Sequence, residues 1–325
     1  MSRYKIVISD YYYPTQDEEN RAYAKLADAE IVDLTKLVPG GVLKPEELIP
    51  YVRDCDALVV QFAAVTREVI EAMEKCKIIA RYAIGVDNID VKAATEKKIY
   101  VANVSDYCID EVANTAAAHI LNAVRKISRA NEMLKSGSFA MNAVRPLIRL
   151  QNATLCLIGF GNIARNLEKK MLPFFRHIVA YDPYFTRAAE YPEVEFLGFE
   201  AAVAKADVIS IHVPLTDSTR NLLNEAAFAG MKDGVVIVNT ARGGVIDENA
   251  LLAALRSGKV SRAGLDVVAT EDFAGSQLLR ESHVTLTPHI GWCSEDSVLE
   301  LQRKVGENVV ACLTTGKPNY PVNRW

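Results

Sequence analysis

The sequence predicts an α/β protein of two doubly wound parallel-sheet domains, the second inserted into a discontinuous first. Three observations carry that expectation. Short apolar runs alternate with helical patterns of roughly ten residues from one end to the other. A glycine turn of the form G-x-G-x-x-A stands mid-chain between an apolar run and a helical pattern. A long helical pattern precedes that turn and an amphipathic one closes the chain, as expected of helices that cross between two domains. At 325 residues there is room for two domains of ordinary size, each with its own core.

Taken in order, residues 4–9, YKIVIS, read as a buried strand, and a helical pattern follows from about Gln16 to Ala29. The unit then repeats: strand at Ile31 to Leu34, helix at Pro45 to Arg53, strand at Ala57 to Gln61. Thr66 opens a further helix with Glu68 in its first turn, a pattern that caps free amides. Lys77 to Arg81 is the next strand, and it ends in the glycine loop of RYAIGVDNID. In open parallel sheets such loops line the ligand crevice. Gly85 is therefore a candidate to offer backbone N–H groups to a carboxylate, with Arg81 adding charge. Asp106 to Ser136 reads as one long helix, with Ile109, Val112, Ala113, Ala116, Ile120, Val124 and Ile127 at helical spacing. Its small residues suit either internal packing or a subunit interface.

The stretch from Thr154 to Asp182 carries the glycine turn. Leu155 to Ile158 form a continuous apolar run, as in a strand buried on both faces. Gly159 allows a tight turn, Gly161 lets the backbone approach a pyrophosphate, and Ala164 stands where a small residue lets helix and strand pack closely. The amides of the following helix would face the phosphates. A second apolar run, Ile178 to Tyr181, ends at Asp182, where a carboxylate accepts hydrogen bonds from ribose hydroxyls and repels a 2′-phosphate. That favours NAD over NADP, although Arg187 lies close behind. Beyond it, strands are expected at Asp207 to His212, Gly234 to Asn239, Ser261 to Leu265 and Val284 to Leu286, with a helix from Asn224 and a last one from Ser294 to Leu313. The last helix would return to the first domain.

Net charge is −4, with acids and bases interspersed. No basic surface stands out for nucleic acid or an anionic membrane. No apolar stretch approaches the roughly 20 residues that span a bilayer, and the N-terminus lacks a signal-peptide core. A cytoplasmic location is expected. The six cysteines form no C-x-x-C pair, which argues against a disulfide framework or structural zinc. No metal is needed for the chemistry read below.

Three residues follow three successive strands of the second sheet: Arg242 in TARGGVID, Glu271 after AGLDVV, and His289 after VTLTP. Arginine beside two glycines can present its fork to a carboxylate bidentately. Reduction of a 2-oxo acid needs a cation for carboxylate and carbonyl, a proton donor near that oxygen, and a hydride. Glu271 beside His289 would favour imidazolium and so help it protonate the carbonyl; in reverse His289 acts as base.

The segments GFGNIA, NTARGGVIDENALLAALRSGKVSRAGLDV, Glu271 and TPHIGW resemble the D-isomer-specific 2-hydroxyacid dehydrogenase family, which includes phosphoglycerate dehydrogenase. The resemblance implies that Arg242, Glu271 and His289 form the catalytic set. It implies a Rossmann NAD-binding domain, residues 104–291, inserted into a flavodoxin-like substrate domain, residues 1–103 and 292–325, and a homodimer formed through the NAD-binding domain. By the same matching Gly159, Gly161, Asn162, Ile163, Asp182, His212, Val213, Pro214, Thr219, Thr240, Ala241 and Asp266 would contact NAD, and Arg81, Ile84, Gly85 and Trp292 the substrate. SDYCIDEVAN and HIGWCSE are similar to the branch containing the C-terminal binding protein co-repressors, where the Trp292 position faces the substrate pocket. That branch implies one alternative, an NADH-sensing oligomeric scaffold. Another is a phosphoglycerate dehydrogenase without its regulatory domain, for which the chain leaves no room. Gln61 and Phe62 stand where phosphoglycerate-specific members carry more polar or basic residues, which disfavours a phosphorylated substrate. Asp272 stands where the family commonly has proline after the catalytic glutamate.

Overall fold

The structure, a computed structural model, describes residues 4–270 and 273–325. The chain divides into two compact units, Met1–Cys108 with Ser294–Trp325, and Ile109–Cys293. The sequence reading places the divisions a few residues away, at 103/104 and 291/292.

In the first unit β1 (Tyr4–Ile8) is followed by α1 (Asp17–Tyr23), β2 (Ala29–Asp33), α2 (Pro45–Val52), β3 (Ala57–Val60), α3 (Arg67–Ala72), β4 (Ile78–Arg81), α4 (Val91–Glu96) and β5 (Tyr100–Ala102). The five strands are parallel, in the order β2-β1-β3-β4-β5. Val7, Leu58, Val60, Ile79 and Val101 point to one face and pack with Leu48, Val69 and Ile70 of α2 and α3. α3 opens at Thr66, whose hydroxyl makes no capping bond, contrary to the expected cap. α4 and β5 carry too few periodic residues to be read from the sequence.

The second unit opens with α5 (Ile109–Arg125) and α6 (Ile127–Lys135). The single helix expected from Asp106 to Ser136 is thus two, broken at Lys126, whose φ is +53°. Asn122 explains the break. Its Oδ1 accepts from the backbone N–H and the hydroxyl of Ser128, at 2.9 and 3.0 Å, and so caps the second helix. No glycine or proline marks the place. There follow β6 (Thr154–Ile158), α7 (Asn162–Met171), β7 (His177–Tyr181), β8 (Val194–Phe196), α8 (Phe199–Lys205), β9 (Val208–Ile211), α9 (Glu225–Gly230), β10 (Val235–Asn239), α10 (Glu248–Ser257), β11 (Val260–Leu265) and β12 (Val284–Leu286). Seven parallel strands run in the order β12-β11-β10-β9-β6-β7-β8. The order reverses between β6 and β9, and that switch point is where ligands bind in doubly wound sheets. Separate apolar clusters cover the two faces, one built on α5 and α7, the other on α8, α9 and α10.

The chain then returns to the first unit as α11 (Glu295–Thr315), started by a Ser294–Ser297 capping box. α11 packs on α1 so closely that a Cβ at Gly306 would lie 2.8 Å from that of Ala22. Among the described residues no helix is long and apolar enough to cross a membrane.

Candidate active site

The glycine turn after β6 is held by its neighbours. Gly159 has φ +86°, and a Cβ there would fall 2.8 Å from the carbonyl oxygen of His212 and 2.9 Å from Val213 Cγ1. Only glycine satisfies both the left-handed backbone and that close approach. Phe160 anchors the turn, buried edge-on against Phe185, Tyr191 and Phe196. Gly161 is the N-cap of α7; it offers no capping side chain, and nothing lies within 4 Å of where its Cβ would be. The first amides of α7 therefore open onto space. Ala164 is fully buried in the packing of α7 on the sheet. Asp182, at the end of β7, accepts from the N–H groups of Phe160 and Tyr184, each at 2.9 Å, and remains half-buried. Asn162 accepts from the Arg165 guanidinium. Arg187 is exposed and pairs with Glu190.

At the end of β9, His212 bonds to Ser210 Oγ at 2.9 Å, and burial pushes its pKa down to about 4, which keeps the ring neutral at pH 7. The loop Val213–Thr219 closes on itself: Thr219 Oγ1 donates to the Pro214 carbonyl at 2.6 Å and accepts from the Thr216 N–H at 2.8 Å.

Asn239 ends β10 with a fully buried side chain. Its Oδ1 accepts from Ala241 N–H and its Nδ2 donates to the Arg242 carbonyl, both at 2.9 Å. This bracket turns the chain and sets Arg242, whose Nη1 donates to the Ala241 carbonyl at 2.8 Å. Gly243 is pressed on the segment after β11; a Cβ there would lie 2.0 Å from the Val268 carbonyl carbon. Thr240 is buried, and its hydroxyl has no hydrogen-bond partner among the described residues. A buried orphan hydroxyl is costly, and a ligand that satisfies it recovers the cost.

Asp266 follows β11 and is buried. Its Oδ1 accepts from Thr287 Oγ1 at 2.5 Å and Ile290 N–H at 3.0 Å, its Oδ2 from Gly291 N–H at 2.8 Å, and its carbonyl from His289 N–H at 2.9 Å. It thus staples the turn after β12. His289 sits in that turn at φ +54°, an unusual backbone for a residue with a side chain. His119 of α5 bonds through Nε2 to Thr287 at 3.0 Å. Trp292 follows, half-buried. Glu271 and Asp272 lie outside the described residues.

In the first unit, the Arg81 guanidinium donates to the carbonyls of Gly85 and, at 3.3 Å, of Gln61. It ties together the loops after β3 and β4, a role that sequence reasoning, which gave it a substrate charge, did not foresee. Ile84 and Gly85 are half-buried in that loop. Asp10, buried at the end of the β1 segment, accepts from the N–H groups of Gln61, Phe62 and Ala63. An exposed Tyr12 stacks on the exposed Phe62, ring centroids 5.8 Å apart.

The second unit therefore gathers Gly159, Gly161, Asp182, His212 and Val213 at the β6/β9 switch, and sets Arg242, Asp266 and His289 after the adjacent strands β10, β11 and β12. Asp10, His119, Asn239 and Thr287 were missed. For Asp10 and Asn239 a signal existed, a polar residue ending an apolar strand run; for His119 and Thr287 none did.

A model of the NAD-binding domain of D-isomer-specific 2-hydroxyacid dehydrogenases matches residues 117–291. The chain is 40% identical over 314 residues to hydroxypyruvate reductase of Thermotoga maritima, covering 95% of this chain and 97% of that one. To D-3-phosphoglycerate dehydrogenase of Methanocaldococcus jannaschii it is 37% identical over 327 residues, covering 98% of this chain but 60% of that longer one. Among solved structures, a glyoxylate reductase from Paecilomyes thermophila superposes with a TM-score of 0.87 at 27% identity, over 99% of both chains.

Proposed function

Because the chain belongs to the D-isomer-specific 2-hydroxyacid dehydrogenase family and is an NAD-dependent enzyme of that class, we propose that it interconverts a D-2-hydroxy acid and its 2-oxo acid through Arg242, Glu271 and His289. The observation that carries this reading is the order of the second sheet. Arg242 and His289 follow β10 and β12 at the same edge where β6 delivers the glycine turn.

The residues present fit a dinucleotide. Gly161 and the uncapped start of α7 leave room and amides for the pyrophosphate, Asp182 has a carboxylate for the ribose, and the orphan Thr240 hydroxyl stands ready for a polar group. When bound, NADH supplies the hydride that reduces C2 of the oxo acid. Arg242 holds the substrate carboxylate, one edge of its fork already oriented by the Ala241 carbonyl. His289 gives its proton to the developing alkoxide and takes it back in the reverse direction, with Glu271 favouring imidazolium. From the first unit, Ile84 and the amide of Gly85 are proposed to meet the substrate, Arg81 acting chiefly by holding their loop. Gln61 and Phe62, which leave the start of the loop after β3 without a basic side chain, favour an unphosphorylated acid.

A homodimer through the NAD-binding domain is part of the proposal. Ile127, Leu134, Phe139, Met141 and Leu147 are exposed on α6 and the segment after it, more apolar surface than a monomer ordinarily leaves bare.

The test is oxidation of NADH with a panel of 2-oxo acids: glyoxylate, hydroxypyruvate, pyruvate, phenylpyruvate, 4-methylthio-2-oxobutyrate and phosphohydroxypyruvate, each repeated with NADPH. Saturable turnover of an unphosphorylated acid with NADH supports the reading. Tight NADH binding without turnover of any acid favours an NADH-sensing scaffold instead.

A further inference from the structure

His119 is buried on α5, where a Cβ at Gly264 of β11 would lie 2.9 Å from its ring. Its Nε2 lies 3.0 Å from Thr287 Oγ1. The direction of that bond follows from proton counting. A threonine hydroxyl carries one proton, and Thr287 gives it to Asp266 Oδ1 at 2.5 Å. The oxygen can then only accept from His119, so the ring carries its proton on Nε2. Nδ1 faces the backbone of Gly264, and burial lowers the pKa of the ring against the opposing pull of Asp266. A neutral Nε2–H tautomer is the state that fits.

The chain His119–Thr287–Asp266 ends on the turn of His289. The carboxylate oxygens of Asp266 hold the N–H groups of Ile290 and Gly291, and its carbonyl holds that of His289. A left-handed histidine persists only where its surroundings over-determine it. α5 supplies a second tie, Thr115 Oγ1 to the Gly291 carbonyl at 3.4 Å.

We propose that His119 is a positioning residue: by donating from Nε2 it commits the Thr287 hydroxyl to Asp266 and so fixes the turn that aims His289. The proposal rests on His289 being the acid–base group. Without the donor, Thr287 is free to rotate, one of the two hydrogen bonds on Asp266 Oδ1 loses its fixed direction, and the imidazole of His289 samples unproductive positions. Misplacement of that order costs turnover while leaving cofactor affinity largely intact.

The experiment compares His119→Leu, His119→Gln and Thr287→Val with the wild-type enzyme, using hydroxypyruvate and NADH, and adds His289→Asn as a control. Thermal melting establishes that each variant is folded, and Thr287→Val, nearly isosteric, tests the same link if His119→Leu does not fold. The expected result is a loss of about tenfold or more in kcat for His119→Leu and Thr287→Val, with KM for NADH little changed. His119→Gln, whose amide can donate at similar reach, recovers most of the loss. NMR titration of the His289 imidazole in the NADH complex should give a curve displaced from the wild-type one in His119→Leu and coincident with it in His119→Gln. Wild-type kcat in folded His119→Leu, or equal impairment of the Leu and Gln variants with an unmoved His289 titration, overturns the proposal alone. Full turnover by His289→Asn overturns the acid–base reading and this proposal with it.

Discussion

His212 shows how one side chain links the sheet to its pH response. Its ring is bonded to Ser210 and pushed down to about 4 by burial alone, against about 6.5 for a free imidazole. The folded state therefore favours the neutral form, while the unfolded chain takes up a proton below about pH 6.5. Stability from this group is complete above that pH and is lost as pH falls toward about 4, by an amount on the order of 1–3 kcal/mol. Urea midpoints at pH 7 and pH 5 should differ more for the wild-type chain than for His212→Asn. An equal difference in both would show that His212 is not the group responsible.

At the scale of elements, the close approaches matter most. Gly243 sits where any Cβ would meet the Val268 carbonyl carbon at 2.0 Å, so the turn after β10 and the segment after β11 must separate to admit one. Gly243→Ala should cost about 3 kcal/mol or more and lower turnover, because the same turn sets Arg242; a variant with wild-type melting temperature and activity would contradict this. The glycines of that turn were legible in the sequence, as were the strands and the β6–α7 turn, because buried parallel strands and dinucleotide turns leave periodic or compositional marks. The break between α5 and α6 was not. Nothing at Lys126 departs from a helical pattern, and the cause is an asparagine side chain four residues earlier that caps the next helix. Arg81 was legible as a cation after a strand, but its partners are the Gln61 and Gly85 carbonyls, bonds that only the fold brings together. The network from His119 to Asp266 spans 147 positions of sequence between α5 and β11, two elements with no local mark of their meeting.

For the whole molecule, the exposed apolar side chains on α6 and the following segment make oligomeric state the natural question. Phe139 is 83% exposed and Met141 70%, a loss of hydrophobic stabilisation that a second copy would recover at roughly 25 cal/mol per Å². Light scattering should report a dimer for the wild-type protein and a monomer, or a dimer weakened at least about tenfold, for the double variant Phe139→Glu with Met141→Glu. A wild-type monomer would contradict the proposed assembly. His289 is the group proposed to move the proton. The direct measurement is the rate at which His289→Asn reduces whichever 2-oxo acid of the panel the wild-type enzyme turns over, with NADH binding followed by fluorescence. Turnover should fall about 100- to 10,000-fold with NADH affinity unchanged; a wild-type rate would show that His289 does not move the proton.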